Sequence, residues 1–290
     1  FTYTDIFTQL EENEVYTLRK YPCYNQLGEP LWPDRWNKEA LEHRKMEIGS
    51  LKFTREYLCV PISTGTSLFA PEHLEAAKSH DDILRISQRK EQGYKYYVGV
   101  DPAISTDGDY NVIMVLEVDE NKNKRICFVD RSKNVEFREN INKIKLLGKM
   151  FDPEVVLFET NTFAKSFTQE LRTMTDLNVK DFTTTRKKKE EIILNLQMNL
   201  ENNKIKLPYG NNESQKVSKA IIEEMSMFSI TDRGRFEGVG AHDDLVMALA
   251  LANSATHLMG ETFVLIEDMD IFGDNQPDTL NINPGITGLW

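Results

Sequence analysis

The chain reads Tyr-Tyr-Val-Gly-Val-Asp-Pro-Ala-Ile-Ser-Thr-Asp-Gly-Asp at residues 96 to 109, a short apolar run that stops at an acidic turn. The aromatic and β-branched residues from Tyr96 to Val100 predict a buried strand. Pro102 has no N–H to donate to a neighbouring strand, so the strand is expected to end there. Asp101 is thereby placed at the carboxyl end of a core strand, where open α/β sheets bind their ligands.

A carboxylate at the end of a core strand is costly unless it is paired, hydrogen-bonded or bound to a metal. Asp101 has two interpretations on this stretch alone. It either caps the loop that follows the strand or belongs to a functional site. The rest of the chain has to decide between them.

A second strand that ends in an acid follows the first after a predicted crossover. Strands at 110–118 and 125–130 continue the first strand as an antiparallel meander, and a helix over 137–151 leads into an apolar strand from Glu154 to Phe158. A right-handed crossover makes this strand parallel to the first. If the two strands are neighbours, Asp101 and Glu159 lie roughly 5 Å apart at one edge of the sheet.

Two further acids, Asp243 and Asp244, precede a predicted helix at 245–255 that is apolar nearly all round and is therefore expected to be buried. The dipole of a helix N-terminus stabilises one carboxylate by itself. Two acids there, in addition to two strand-terminal acids, exceed what capping requires. Adjacent carboxylates repel each other unless a cation lies between them, and hard oxygen ligands suit Mg²⁺ or Mn²⁺.

The remaining periodicity completes an α/β fold. We expect helices at 37–48 and 51–58 before the first strand, and helices over 163–174, 186–200 and 217–225 after the fourth. Strands are expected at 179–184 and 205–207, with a hairpin formed by 226–231 and 235–239. The predicted architecture is a mixed sheet, an antiparallel three-strand meander plus parallel strands, flanked by helices.

Composition excludes several classes of protein. With 40% hydrophobic and 28% charged residues, the chain is predicted to be globular. A net charge of −11 argues against a generic nucleic-acid binder, although residues 261 to 290 contain six acids and no Lys or Arg. Three widely spaced cysteines without a CxxC pair argue against a zinc site. No signal peptide or apolar run of membrane-spanning length is present, so an intracellular location is expected.

Several short stretches, in this order and spacing, resemble the nuclease part of the large terminase subunit of tailed bacteriophages. They are Leu31-Trp-Pro-Asp-Arg-Trp36, the segment from Glu47-Ile-Gly-Ser50 to Phe53 and Tyr57, Val98-Gly-Val-Asp-Pro-Ala103, Leu157-Phe-Glu159 and His242-Asp-Asp-Leu-Val246. The resemblance implies an RNase H-like fold and a metal-dependent endonuclease that cuts concatemeric double-stranded DNA during packaging. The family's ATPase part is expected to be absent, because no G-x-x-x-x-G-K-[ST] phosphate loop occurs.

The resemblance also implies the catalytic residues and the cofactor. Asp101 and Glu159 would be the first two metal ligands, and one or both of Asp243 and Asp244 would supply the third. Because adjacent helical side chains point about 100° apart, only one of these two is expected to bind the ion directly. Asp244 is favoured, with Asp243 supporting it or binding the other metal ion. The implied mechanism is hydrolysis with two Mg²⁺ or Mn²⁺ ions, one activating water and the other stabilising the leaving 3′ oxygen. His242 and Asp109 are candidates for orienting a ligand or water, with a cap and a turn residue as the alternatives.

Basic residues near the predicted site are candidates for DNA contact, and their alternative is a solvated surface. They are Lys165, Arg186, Lys187, Lys188, Lys189, Arg233 and Arg235. The resemblance further implies the portal protein, the small terminase subunit and the packaging ATPase domain as partners, in the cytoplasm of an infected bacterial host. We expect three parts: a linker or subdomain remnant at 1–92, the nuclease domain at 93–260 and an acidic C-terminal tail at 261–290.

Two other classes of function compete with the nuclease. An actin-like or sugar-kinase-like ATP-binding protein shares a strand that ends in Asp, but Pro102-Ala103 replaces its tight glycine turn here. A non-catalytic module that docks on DNA or the portal would carry the acids for structural reasons. Within the nuclease class, junction resolvases and transposases lack the Trp-rich segment before the first strand.

Overall fold

A computed structural model of the chain describes residues 15, 17, 19–60, 65, 67–80, 89–102, 110–133, 135–160, 164–231, 235–238 and 243–258. Within these ranges the elements follow each other as α1 (Lys38–Ile48), α2 (Ser50–Glu56), α3 (Pro71–Ala77), β1 (Lys78–Ser79), β2 (Lys95–Asp101), β3 (Asn111–Val118), β4 (Lys124–Ser132), α4 (Phe137–Phe151), β5 (Val155–Glu159), α5 (Ala164–Met174), β6 (Val179–Phe182), α6 (Arg186–Glu201), β7 (Ile205–Pro208), α7 (Asn212–Ser226), β8 (Phe228–Ile230), β9 (Phe236–Gly238) and α8 (Asp244–Ala255).

A seven-stranded mixed sheet forms the centre of the fold, in the order β1-β7-β4-β3-β2-β5-β6. β3 pairs antiparallel with β2 and β4, and the remaining pairings in this sheet are parallel. The predicted meander and the predicted parallel pairing of β2 with β5 are therefore confirmed. β8 and β9 form the predicted hairpin as a separate two-stranded sheet, while its turn, residues 232–234, lies outside the described residues.

Alternating side chains of the central strands enter two different cores. Tyr96, Val98 and Val100 face α4 and α5, where residues such as Ile141 and Phe167 cover them. Tyr97 of β2, with Val155 and Leu157 of β5, joins the core on the opposite face, which α6, α7 and α8 cover. Because the side-chain period of a strand is two, Asp101 and Glu159 belong to this second face.

α8 is the central helix of the second core, and it is buried almost all round, as predicted. It crosses β2 at Gly99, where a Cβ atom would overlap the backbone of Ala248 and Ala252. A side chain at residue 99 would therefore push α8 off the sheet. The glycine fixes how close α8, which begins at Asp244, lies to the strand that ends at Asp101.

Several bounds differ from the predicted elements. β6 ends at Phe182 rather than at Thr184, because α6 begins at Arg186 and the Thr185 side chain caps it by accepting from the Lys188 N–H. α7 begins at Asn212, five residues before the first predicted apolar position, because Asn211 caps it. Residues 71–79 form α3 and the edge strand β1, which the periodicity did not indicate. The predicted division of the chain at residues 92 and 260 stays a prediction.

None of the helices in the described ranges is long and apolar enough to cross a membrane.

Candidate active site

Two carboxylates meet at the carboxyl edge of the sheet. The parallel register pairs Val100 with Phe158, so the next residues, Asp101 and Glu159, are neighbours at the ends of β2 and β5. Their side chains lie close enough for each to affect the ionisation of the other. The edge thus holds two acids side by side.

The pKa of Asp101 is raised well above its ordinary value. Desolvation is the largest cause, followed by the negative charge of Glu159 and the hydrogen bond between the two side chains. The charges of Asp244 and Asp243 raise it further. A group whose charged form is opposed both by burial and by three like charges sits in a strongly negative environment.

Asp243 and Asp244 begin α8 but have different partners. Asp244 is 9% exposed, and one of its carboxylate oxygens accepts from the Tyr110 backbone N–H at 3.3 Å. Asp243 stands at the N-cap position and makes no side-chain capping bond. Its Oδ2 atom instead lies 2.8 Å from the Lys189 ammonium of α6. Asp243 is therefore paired with Lys189, and the Tyr110 backbone donor is one of the contacts that hold Asp244.

The orientation of Glu159 is set from the loop before α6. The Thr184 hydroxyl donates to Oε1 of Glu159 at 2.6 Å. Behind this contact, the hydroxyls of Thr160 and Thr183 lie 3.4 Å apart. The end of β5 and the residues after β6 are thus tied together at the same edge of the sheet.

The acids at this edge fit a hard divalent cation by their chemistry. All are carboxylates, the ligand type that Mg²⁺ and Mn²⁺ prefer, and Asp101 has an excess of negative charge around it. Within the described ranges, however, no three Asp, Glu, His or Cys side chains already converge closely enough to hold one ion. The arrangement is therefore a contacting pair, Asp101 and Glu159, with two further acids nearby, and not a completed ligand set.

The comparison with protein families identifies the domain. The model of the terminase RNaseH-like domain matches residues 98 to 255, more than half of the chain. The chain belongs to this family. A comparison with curated protein sequences finds no match.

Solved structures of large terminase nucleases share the fold of this terminase domain. The nuclease domain of Thermus phage P74-26 is 23% identical with a TM-score of 0.52, over 68% of this chain and all of that one. The nuclease of thermophilic phage G20c is 22% identical with a TM-score of 0.51, over 65% of this chain and 97% of that one. A structure of the G20c nuclease with bound magnesium is 22% identical with a TM-score of 0.51, over 66% of this chain and 97% of that one. These likenesses support the RNase H-like fold.

The basic candidates of the terminase domain have different surroundings. Lys165 is exposed in the first turn of α5, and Arg186, Lys187 and Lys188 are exposed in the first turn of α6. Lys189 points to Asp243, and its ammonium lies 2.8 Å from that carboxylate. Arg235 is exposed beside β9, 3.8 Å from Glu237. Asp109, Arg233 and His242 lie outside the described residues.

Several residues that the sequence did not single out support the acids of the terminase domain. Thr184 and the Tyr110 N–H bind Glu159 and Asp244 directly. Glu224 of α7 accepts from the Leu245 N–H at 2.9 Å, next to Asp244 in the chain. A sequence signal existed for Glu224 alone, since it is an acid inside the apolar stripe of α7 that also contains Ile221 and Met225.

Proposed function

We propose that this terminase domain is a metal-dependent endonuclease that cleaves double-stranded DNA, the concatemeric viral genome, during packaging. The observation that carries the proposal is the contact between Asp101 and Glu159 at the sheet edge, with Asp244 at the N-terminus of a buried helix beside them. Carboxylates gathered at one edge of a sheet are the ligand type that Mg²⁺ and Mn²⁺ prefer.

Asp101, Glu159 and Asp244 would hold one or two such ions. Bound divalent ions would supply a nucleophile from water at neutral pH and stabilise the negative charge of the leaving 3′ oxygen. The chain's own groups orient the ligands: the Thr184 hydroxyl holds Glu159, and the Tyr110 N–H holds Asp244. Asp243, bound to Lys189, would act beside this ligand set or on the second ion.

DNA would be held through its phosphates by exposed basic residues around this edge, because phosphate contacts give affinity independent of sequence. The candidates are Lys165, Arg186, Lys187, Lys188, Arg233 and Arg235. The portal protein, the small terminase subunit and the ATPase domain are proposed as partners, and the host cytoplasm as the location. In this proposal residues 93–260 form the nuclease, after a linker remnant at 1–92, and the acidic tail at 261–290 docks on this domain or on a partner.

Plasmid nicking tests the proposal. We expect the 290-residue chain to nick supercoiled plasmid when Mn²⁺ or Mg²⁺ is added, and Asp101→Asn or Glu159→Gln to abolish nicking, since each removes one charged ligand. Asp119→Asn is the matched control, because Asp119 is a half-buried acid between β3 and β4, at the opposite end of the sheet, where it accepts from the Asn123 N–H. Nicking by either site variant at the wild-type rate would sink the assignment of these residues.

A non-catalytic docking module is the competing outcome. It predicts that the wild-type chain binds DNA but does not nick it with any divalent ion, and that Mn²⁺ does not raise its melting temperature. Ligands that bind the folded state raise its stability, so the nuclease proposal requires a Mn²⁺-dependent increase that Asp101→Asn abolishes. Differential scanning fluorimetry with and without Mn²⁺ separates the two.

A further inference from the structure

Glu224 is a buried acid at an unusual position. It is 5% exposed and lies in the apolar stripe of α7, where Ile221 and Met225 pack into the core below α8. Its two carboxylate oxygens have separate partners. One accepts from the Leu245 N–H at 2.9 Å, and the other lies 2.6 Å from Nη2 of Arg131 in β4. A buried carboxylate with two partners of this kind holds two elements together.

The Leu245 N–H belongs to the first turn of α8, whose backbone donors have no partners within the helix. Asp243 occupies the N-cap position without capping the helix through its side chain. Glu224 supplies an acceptor for the Leu245 N–H from another helix. The N-terminus of α8, and with it Asp244, is therefore fixed by a carboxylate of α7.

A second set of contacts returns from Glu224 to the Asp244 side chain. The Arg131 guanidinium, held by Glu224, lies over the Tyr110 ring at 4.0 Å from its centroid. The Tyr110 backbone N–H donates to the Asp244 carboxylate at 3.3 Å. These contacts form a closed ring of four residues, Glu224, Arg131, Tyr110 and Asp244. The salt bridge between Glu224 and Arg131 therefore supports the first turn of α8 twice, at the Leu245 backbone N–H and at the Asp244 carboxylate.

An open pocket of about 350 Å³ lies against Arg131 and Leu245, between β4, α7 and α8. On that side of its first turn, α8 therefore has fewer packing contacts, and the Glu224 contact takes on more of the work of fixing the turn. A conformational change of the turn would move Asp244 relative to Asp101, whose distance from α8 is otherwise fixed at Gly99.

We propose that Glu224, with Arg131, is a positioning residue that holds Asp244 in the orientation needed to bind a divalent cation. This inference rests on the proposed function, because it assigns Asp244 a ligand role. It adds that the ligand set depends on a salt bridge formed by residues outside the set. Removing such supporting partners of metal ligands typically lowers metal affinity by about 10- to 100-fold.

The test is Mn²⁺ binding by titration calorimetry on the 290-residue chain and its variants. Glu224→Met removes the acceptor and the charge, and we expect its Mn²⁺ affinity to fall roughly tenfold or more. Glu224→Gln keeps an oxygen acceptor for the Leu245 N–H but loses the charge facing Arg131, so its loss should be smaller. Arg131→Lys keeps a cation but loses the planar stacking on the Tyr110 ring. Its Mn²⁺ affinity should lie between that of Glu224→Gln and that of the wild type.

Glu117→Gln is the matched control. Glu117 is 1% exposed and paired with Arg125, but it lies opposite Tyr96, at the end of the sheet away from the acids. This variant should lose stability like the Glu224 variants while its Mn²⁺ affinity stays at the wild-type value. Hydrogen exchange at the Leu245 amide gives a second readout, and it should accelerate in Glu224→Met, which lacks the acceptor, but not in Glu117→Gln.

The outcomes are distinguishable. If wild type binds no Mn²⁺, or Asp101→Asn binds as well as wild type, the proposed function itself fails. If Asp101→Asn loses binding while folded Glu224→Gln and Glu224→Met keep wild-type affinity, the positioning role is overturned and the salt bridge is structural. If Glu224→Met does not fold, the Mn²⁺ affinities of Glu224→Gln and Arg131→Lys are compared with the wild-type value instead, and wild-type affinity in both overturns the positioning role.

Discussion

The Asp101 carboxyl is in a costly place in the metal-free protein, and this has a measurable effect on stability. The pKa of Asp101 is higher in the folded than in the unfolded protein, so protonation of this group stabilises the fold. This stabilisation is complete at pH values below the ordinary pKa, and it is lost as the pH rises through the raised pKa. We therefore expect metal-free Asp101→Asn to melt at a higher temperature than wild type, with a difference that grows as the pH rises above the ordinary pKa of an aspartic acid. A variant that melts lower than wild type above that pH would contradict the repulsion at the sheet edge.

At the residue scale, the sequence predicted where the acidic residues lie in the fold better than it predicted which residues contact them. A carboxylate directly after an apolar run places Asp101 and Glu159 at strand ends, and the strand pairing that makes them neighbours is confirmed. Their role as ligands stays a prediction. Thr184 on Glu159, Lys189 on Asp243 and Glu224 on the Leu245 N–H could not be predicted, because these contacts depend on side-chain rotamers and on helix placement across distant parts of the chain.

The packing of α8 on β2 sets the geometry at the scale of elements. Gly99→Ala would place a Cβ atom against backbone atoms of Ala248 and Ala252, which cannot rotate away. We expect a loss of about 1–3 kcal/mol in unfolding free energy, as for other overpacked cores, together with weaker Mn²⁺ binding because Asp244 moves with the helix. Urea denaturation and calorimetry measure the two effects.

Gly148→Ala is the control for that substitution. In α4, the added methyl group would meet the side chain of Leu177, the flexible end of which can shift. Alanine also favours a helix over glycine by roughly 1 kcal/mol, which offsets the contact. Gly148→Ala should therefore leave both stability and Mn²⁺ affinity close to wild type, and a loss in both glycine variants would show that the effect is not specific to α8.

Long periodic elements were predicted well, and short or capped ones were not. The apolar faces of α4 and α5 and the all-round apolar α8 follow from hydrophobic periodicity. β1 has two residues and is defined by its pairing with β7, which local sequence does not encode. The early end of β6 follows from threonine turn and capping contacts, which compete with strand structure.

The charge of the whole molecule makes DNA binding depend on a small basic surface. With a net charge of −11, affinity has to come from local cations, and each phosphate contact contributes about 0.9 to the slope of log affinity against log salt. Replacing Lys187 and Lys188 by Ala should lower this slope by roughly 2 if both contact phosphates. Lys189 is left in place because it binds Asp243. Fluorescence anisotropy in an Asp101→Asn background, which prevents cleavage, measures the slope.

A pair of lysines at the far end of the sheet serves as the comparison. Lys122 lies in the turn between β3 and β4, and Lys204 precedes β7 beside it, where it bonds Asn123. Replacing both by Ala changes the net charge by the same amount but should leave the salt slope unchanged. Equal slopes for the two double variants would mean that the start of α6 is an ordinary solvated surface.

The position of α8 in the chain also determines when the protein can fold during synthesis. α8 packs at the middle of the sheet, yet it is made after every strand of that sheet. Until residues 244–255 have left the ribosome, the sheet face around Gly99 and Leu157 lacks the helix that packs on it. The core on this face therefore depends on contacts between residues far apart in the sequence, which form late. Asp244 reaches Asp101 and Glu159 in the same step. An unfinished chain therefore cannot bring the three acids together before α8 has been made.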